Sequence, residues 1–154
     1  MNNQTCGASH SQLWVLFILD FFTKLWACST LTSPVILTSF LSFDIVLNTG
    51  ISWSMFSFLP SVVITVAIGL FLFFLSWYSA KQREQGYCVL GEKLVIVGGT
   101  GNLLDRLYYG GVIDFIHFSY AGWSFPIFNI ADICICVGVG IMLWQAMFNI
   151  VIHD

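Results

Sequence analysis

Apolar residues are not spread along this chain in the short alternations of a soluble domain; they gather in four long segments. These run roughly over Leu13–Leu31, Phe58–Tyr78, Leu94–Tyr109 and Ile130–Ile152. About 20 mostly apolar residues suffice for a helix to cross the hydrocarbon core. Each segment is therefore expected to form a spanning helix, the third being short and rich in glycine. All five basic residues are Lys24, Lys81, Arg83, Lys93 and Arg106, and three of them fall on or beside the connection KQREQGYCVLGEK between the second and third segments. Lysine and arginine favour the cytoplasmic side, so that connection and both termini are expected to be cytoplasmic. The connections Thr32–Ser57 and Gly110–Phe128 then face outward. The first of them contains VILTSFLSFDIVLN, whose β-branched and aromatic residues partly alternate, as in short surface strands. The expected fold is an all-α membrane protein with four transmembrane helices and a small extracytoplasmic β-rich region between helices 1 and 2. No repeat or linker divides the 154 residues, so a single domain is expected.

Composition sharpens this picture. Hydrophobic residues make up 58% of the chain and charged residues only 8%, where soluble proteins carry about a quarter. The bulk solvent of this surface is lipid. No basic patch exists to hold nucleic acid. The five cysteines form no C-x-x-C pair and no ligand set with histidine, so neither metal nor cofactor is expected. The stretch VIVGGTGNLLDRL resembles a dinucleotide-binding turn only superficially, because the third glycine of that fingerprint would fall at Leu104. LWAC, ending at Cys28, looks like the end of a cleavable leader. The absence of positive charge before it, the charges Asp20 and Lys24 inside it and the bulk of Trp26 argue against that.

Those internal charges are the candidate chemistry. A charge near the bilayer centre costs about 2.5–3.5 kcal/mol on the insertion scale, so each needs a reason to be there. Asp20 and Lys24 are four residues apart and share a helix face. Gly98, Asn102, Asp105 and Tyr109 recur at helical spacing and define a small, polar face that is expected to look inward. Arg106 points away from that face. In FNIAD, Asn129 has the position of a helix cap with Asp132 in the first turn. Asp114 lies in the second outer connection.

In order along the chain, the blocks GGTGNLLDR, GGVIDFIHF and FPIFNIADICICVGV resemble those of the lipoprotein signal peptidases (signal peptidase II). DFFTK and NTGISWSMF extend the likeness into the first half, to about residues 12–150. The resemblance implies an aspartic peptidase of the bacterial inner membrane whose catalytic residues correspond to Asp114 and Asp132. Its supporting or substrate-binding positions correspond to Asp20, Lys24, Asn48, Gly50, Asn102, Asp105, Arg106 and Asn129. The implied substrate is a lipid-modified prolipoprotein, cut before a cysteine that already bears diacylglycerol. The chain departs from the family pattern at Phe21 and at Ile51, Ser52 and Trp53, where substrate or inhibitor fit is at stake. A monomer in contact with membrane lipid is expected.

Two nearby carboxyls suffice for peptide hydrolysis, because like charges at short range leave the pair holding one proton. Trp53, Phe56, Phe115, Phe118, Trp123 and Phe125 fit either the seating of an outer loop at the interface or ordinary interfacial anchoring. Asp44, Glu84, Glu92 and Asp154 are expected to be solvated and dispensable, and His10, His117 and His153 to lie at the interface or in tails. Ser119, His117 and Asp114 are neighbours in sequence, but a serine triad is defined by geometry. The alternative from another class is a small proton-linked membrane transporter or channel, which also needs intramembrane acids. A third is a non-catalytic membrane subunit.

Overall fold

A computed structural model describes residues 10–50 and 60–148. Its elements run α1 (His10–Thr30), β1 (Val35–Ile36), β2 (Leu41–Asn48), α2 (Ser61–Glu84), α3 (Leu90–Tyr109), β3 (Val112–Tyr120), β4 (Trp123–Ser124) and α4 (Ile130–Met147). The protein is mainly helical. Three helical stretches, Leu13–Thr30, Ser61–Glu84 and Ile130–Met147, are long and apolar enough to cross a membrane. The expected third span is not among them, because α3 carries Glu92, Lys93, Asn102, Asp105 and Arg106 within its 20 residues.

The bundle explains that polarity. α3 packs against α1, α2 and α4, so the face that carries Glu92, Asn102 and Arg106 is covered, while Leu104, Leu107 and Tyr108 stay exposed. Its buried face contains Gly91, Gly98, Gly99 and Gly101. At these glycines the helices approach too closely for a side chain. A Cβ on Gly138 of α4 would lie 2.6 Å from the Gly91 carbonyl oxygen, and one on Gly91 would lie 2.8 Å from the Gly138 carbonyl oxygen. Such close approach is how helices associate where the solvent offers no hydrophobic drive. The other helices turn large apolar side chains outward, among them Phe21 and Phe22, Phe71, Phe73 and Phe74, and Trp144.

Element ends correct several expectations. α2 continues through Lys81 to Glu84, and α3 begins at Leu90, so the basic connection shortens to residues 85–89. Lys81 folds back with its ammonium 4.6 Å from the centre of the Trp77 ring, which anchors the charge at the helix end. Glu92, expected to be solvated, is buried in the first turn of α3, and its Oε2 has no partner among the described residues. α3 stops at Gly110, whose φ of 76° no L side chain adopts without cost.

The strands also differ from expectation. They are not confined to the connection between helices 1 and 2; both outer connections contribute to one antiparallel sheet of order β1-β2-β3-β4. Val46 pairs with Asp114 and Asn48 with Val112. β3 escapes a reading by alternation because Val112, Ile113, Asp114 and Phe115 are all buried in sequence. The sheet sits on the end of α1: Ala27, Leu31 and Phe115 form a buried cluster with Phe43, Ile45 and Ile116 packed against it. Phe115 therefore belongs to this core and not to an interfacial anchor, whereas Phe118 and Trp123 are exposed. Trp53 and Phe56 lie outside the described residues.

Along α4, Gly138 and Gly140 give a direct contrast. Gly138→Leu is expected to lower the thermal unfolding midpoint of the protein in detergent, with an overpacking cost of about 1–3 kcal/mol or more. A Cβ at Gly140 meets nothing within 4 Å, so Gly140→Ala is expected to leave the midpoint unchanged or raise it slightly.

Candidate active site

The site is assembled where α4 begins. Asn129 is the N-cap: its Oδ1 accepts from the Asp132 N–H at 2.9 Å, and Asp132 Oδ2 accepts from the Asn129 N–H at 3.1 Å. This reciprocal capping box fixes both side chains through backbone groups that need partners in any case. Phe128, one residue earlier, bridges to Ile116 of β3: its carbonyl accepts from the Phe115 and Ile116 N–H groups, and its own N–H donates to the Ile116 carbonyl. The sheet and α4 are thereby held edge to end, which brings Asp114 to Asn129.

Asn129 is wholly buried. With Oδ1 committed to the cap, its Nδ2 must point the other way. It donates to Asp114 Oδ1 at 2.7 Å, and also lies 3.2 Å from Asn102 Oδ1 and 3.3 Å from the Ile113 carbonyl. The second oxygen of Asp114 accepts from Asn48 Nδ2 at 3.0 Å. Asn48 is oriented in turn by the Gly50 N–H, which donates to its Oδ1 at 3.1 Å. Asp132 Oδ1 accepts from Asn102 Nδ2 at 2.8 Å. Each of the four carboxyl oxygens thus receives one N–H, which leaves further lone pairs for a proton, a water or a substrate.

Behind this layer lies a cationic centre. Lys24 Nζ is 2.8 Å from Asp20 Oδ2, 2.8 Å from Asp105 Oδ2 and 3.0 Å from Asn102 Oδ1. The pairing of Asp20 with Lys24 expected from their spacing is present, and both are buried. Asp20 does more than neutralise: its Oδ1 accepts from the Ala131 N–H at 2.8 Å, tying α1 to the first turn of α4. Asp105 also accepts from the Ile113 N–H at 3.3 Å. Arg106 donates from Nη2 to the Gly50 carbonyl at 2.7 Å and from Nη1 to the Asn102 carbonyl at 3.3 Å. Its Nε is buried with no partner among the described residues.

Every candidate residue read from the sequence falls in this network, including Gly50 through its backbone. Tyr109, placed on the same helical face, is exposed at the end of α3. The departures Ile51, Ser52 and Trp53 lie outside the described residues. Phe21 is half exposed on the outside of α1, away from the two aspartates. The helical state of residues 90–109 removes the dinucleotide-binding reading, which needs a strand before the glycines. His117 does not complete a serine triad; its Nε2 is 2.7 Å from Ser124 Oγ and its Nδ1 3.4 Å from Ser42 Oγ. Among the described residues no group of three His, Cys, Asp or Glu is arranged to hold a metal.

Asp114 and Asp132 both line a cavity of about 490 Å³. Its polar end also holds Asn48, Asn102 and Arg106, and its wall is built from Ile68, Phe71 and Leu72 of α2, Val95 of α3, Ile133 and Val137 of α4, and the segment Phe125–Phe128. The α2 residues carried no chemical signal in the sequence, because a cavity wall and a lipid-facing surface use the same side chains. Burial, reinforced by the nearby Asp132 charge, pushes the Asp114 carboxyl up to about 7.

Residues 13–148 match the family described as Signal peptidase (SPase) II. The chain belongs to this family. It is 30% identical over 140 residues to the lipoprotein signal peptidase of Wigglesworthia glossinidia brevipalpis, covering 88% of this chain and 92% of that one. It is 32% identical over 141 residues to that of Polynucleobacter necessarius subsp. necessarius, covering 84% and 83%. A solved bacterial membrane enzyme superimposes with a TM-score of 0.72 at 27% identity, over 89% of this chain and 85% of that structure. The protein is a lipoprotein signal peptidase, an aspartic peptidase that removes signal peptides from prolipoproteins. The signal peptidase fold accordingly joins several membrane helices to a small sheet.

Two expectations follow for this peptidase. The fold favours the protonated form of Asp114, since its carboxyl lies above the ordinary range. If that proton is needed, kcat/KM should fall about tenfold per pH unit above about 7, in a detergent assay at constant ionic strength. Asp44 lies on β2, at the irregularity between Phe43 and Val46 and outside the cavity lining. Asp44→Asn is expected to retain full cleavage activity.

Proposed function

We propose that Asp114 and Asp132 are the catalytic pair, sharing one proton and activating a water between them. Two carboxyls contributed by different elements, β3 and α4, line one cavity and both accept from the same asparagine, Asp114 from the Asn129 side chain and Asp132 from its backbone N–H. That is the observation that carries the reading. Two neighbouring carboxylates in a low-dielectric site hold one proton in common, so the pair titrates as a unit. The ionised member takes a proton from water as it attacks the scissile carbonyl. The protonated member donates to the carbonyl oxygen, and a proton then passes to the departing amine. The four N–H donors hold the carboxyls in place without consuming the proton. The Nε of Arg106 is a remaining donor at the polar end of the cavity, suited to a substrate carbonyl oxygen.

The substrate of this reading is a prolipoprotein whose cysteine bears diacylglycerol, cut immediately before that cysteine. The apolar wall supports it. Phe71, Ile133 and Val137 line the cavity and are also exposed on the helix surfaces, so acyl chains can reach the carboxyls from within the bilayer. A cavity with a polar end and a lipid-accessible wall matches a peptide joined to a lipid.

In the membrane, α3 forms the fourth crossing, packed against each of the other three helices. The basic stretch near residues 81–93 faces the cytoplasm with both termini, and the sheet rests on the outer surface of the bacterial inner membrane. The chain acts as a single domain and as a monomer. The transporter reading requires acids in a chain across the bilayer. Here Asp20, Asp105, Asp114 and Asp132 gather at one end of the bundle.

Purified protein in detergent, given a diacylglyceryl-modified proprotein, should release the signal peptide. Asp114→Asn and Asp132→Asn should each reduce kcat by at least about a thousandfold, a loss of roughly 4 kcal/mol of transition-state stabilisation. Undiminished cleavage by either variant would remove that residue from the pair.

A further inference from the structure

The side-chain amide of an asparagine has two ends of nearly equal size, one donating and one accepting. Which end faces a carboxylate decides whether the carboxylate is stabilised or repelled. Three asparagines present Nδ2 to the aspartate pair, and each is held in that sense by a donor on its Oδ1. For Asn129 the donor is the Asp132 N–H, and for Asn48 it is the Gly50 N–H. Both are backbone groups. Asn102 differs: its Oδ1 accepts from Lys24 Nζ at 3.0 Å and from Asn129 Nδ2 at 3.2 Å. Its orientation depends on side chains, and the charged one belongs to another helix.

We infer that Lys24 is a positioning residue whose ammonium locks the Asn102 amide with its N–H towards Asp132. This rests on the reading of Asp114 and Asp132 as the catalytic pair. An ammonium has three protons, and three oxygens surround this one, from Asp20, Asp105 and Asn102. It has no freedom to turn away. Reversal of the amide would set NH2 against the ammonium and against the Asn129 NH2, and an oxygen against Asp132. Asp132 would then need a proton of its own to satisfy Asn102, and that proton is the one the pair shares in catalysis. The charges around the pair are Asp20 and Lys24 from α1 and Asp105 and Arg106 from α3. Of these, only Lys24 donates to the Asn102 side chain.

Two explanations for a Lys24 requirement are separable. Lys24 either balances the charge of Asp20 and Asp105 or orients Asn102. Lys24→Met removes both. Lys24→Met with Asp105→Asn removes one negative charge with the positive one, yet supplies no ammonium to Asn102. Asn102→Asp keeps the shape and the contact with Lys24 but presents oxygen to Asp132. All three are assayed for cleavage of a diacylglyceryl-modified proprotein, with thermal unfolding as the check on folding. Each is expected to lower kcat by about a hundredfold, the scale of a lost hydrogen bond to a charged group, with KM within about threefold of the parent. Return of parental kcat in the double variant would overturn the inference in favour of charge balance. Near-parental kcat in Asn102→Asp would overturn it independently, even if Lys24→Met does not fold. Asp114→Asn and Asp132→Asn run alongside: activity retained there defeats the catalytic pair, whereas activity lost there but kept in Asn102→Asp defeats only the role of Lys24.

Discussion

A positive charge cannot remain among apolar helices unless oxygen atoms replace the water it has lost. Lys24 meets that requirement with acceptors from α1 itself and from α3. Breaking one partner of such a buried set leaves an uncompensated charge, which costs about 3–5 kcal/mol. The requirement therefore selects one relative placement of α1 and α3. Asp20 extends it to α4 by accepting the Ala131 N–H. A single desolvated ammonium thus sets the registry of three helices in a medium where apolar packing alone specifies little.

The two aspartates that line the cavity come from elements of different kind, and each is held by backbone logic proper to its element. Asp132 belongs to a capping box, in which helix start and carboxyl orientation are the same fact. Asp114 belongs to a strand whose partner strand supplies Asn48. Asn129 joins the two because capping consumes its oxygen and frees its nitrogen. The fixed placement of both carboxyls is therefore inherited from groups that secondary structure must satisfy anyway.

α3 shows how polarity and glycine content act together. Its glycines admit α4 to backbone contact at Gly91 and Gly138, and packing against the other helices buries Asn102 and Arg106. A helix too polar to qualify as a span by hydropathy is accommodated by packing against three others, which cover its polar face. The same enclosure leaves Glu92 buried, contrary to its expected solvation.

The sequence by itself determined the membrane class, the helical segments and the cap at Asn129, and it made the charges inside the helices stand out. Each of these rests on local physics: apolar length against bilayer thickness, a capping residue before a helix, and the high cost of charge in lipid, which makes every internal charge conspicuous. The order of the blocks revealed the family, and only that resemblance singled out Asn48, Gly50 and the pairing of Asp114 with Asp132. Only the tertiary structure decided that β3 joins β2 in one sheet, since the strand is buried over four successive residues and shows no alternation. It also decided where α2 ends, that Glu92 is enclosed, and that Ile68, Phe71 and Leu72 wall a cavity. These outcomes depend on which surfaces meet. Residues 20, 24, 102, 105, 114, 129 and 132 converge because hydrogen-bond partners distant in sequence must be satisfied together, and that is a property of the folded chain.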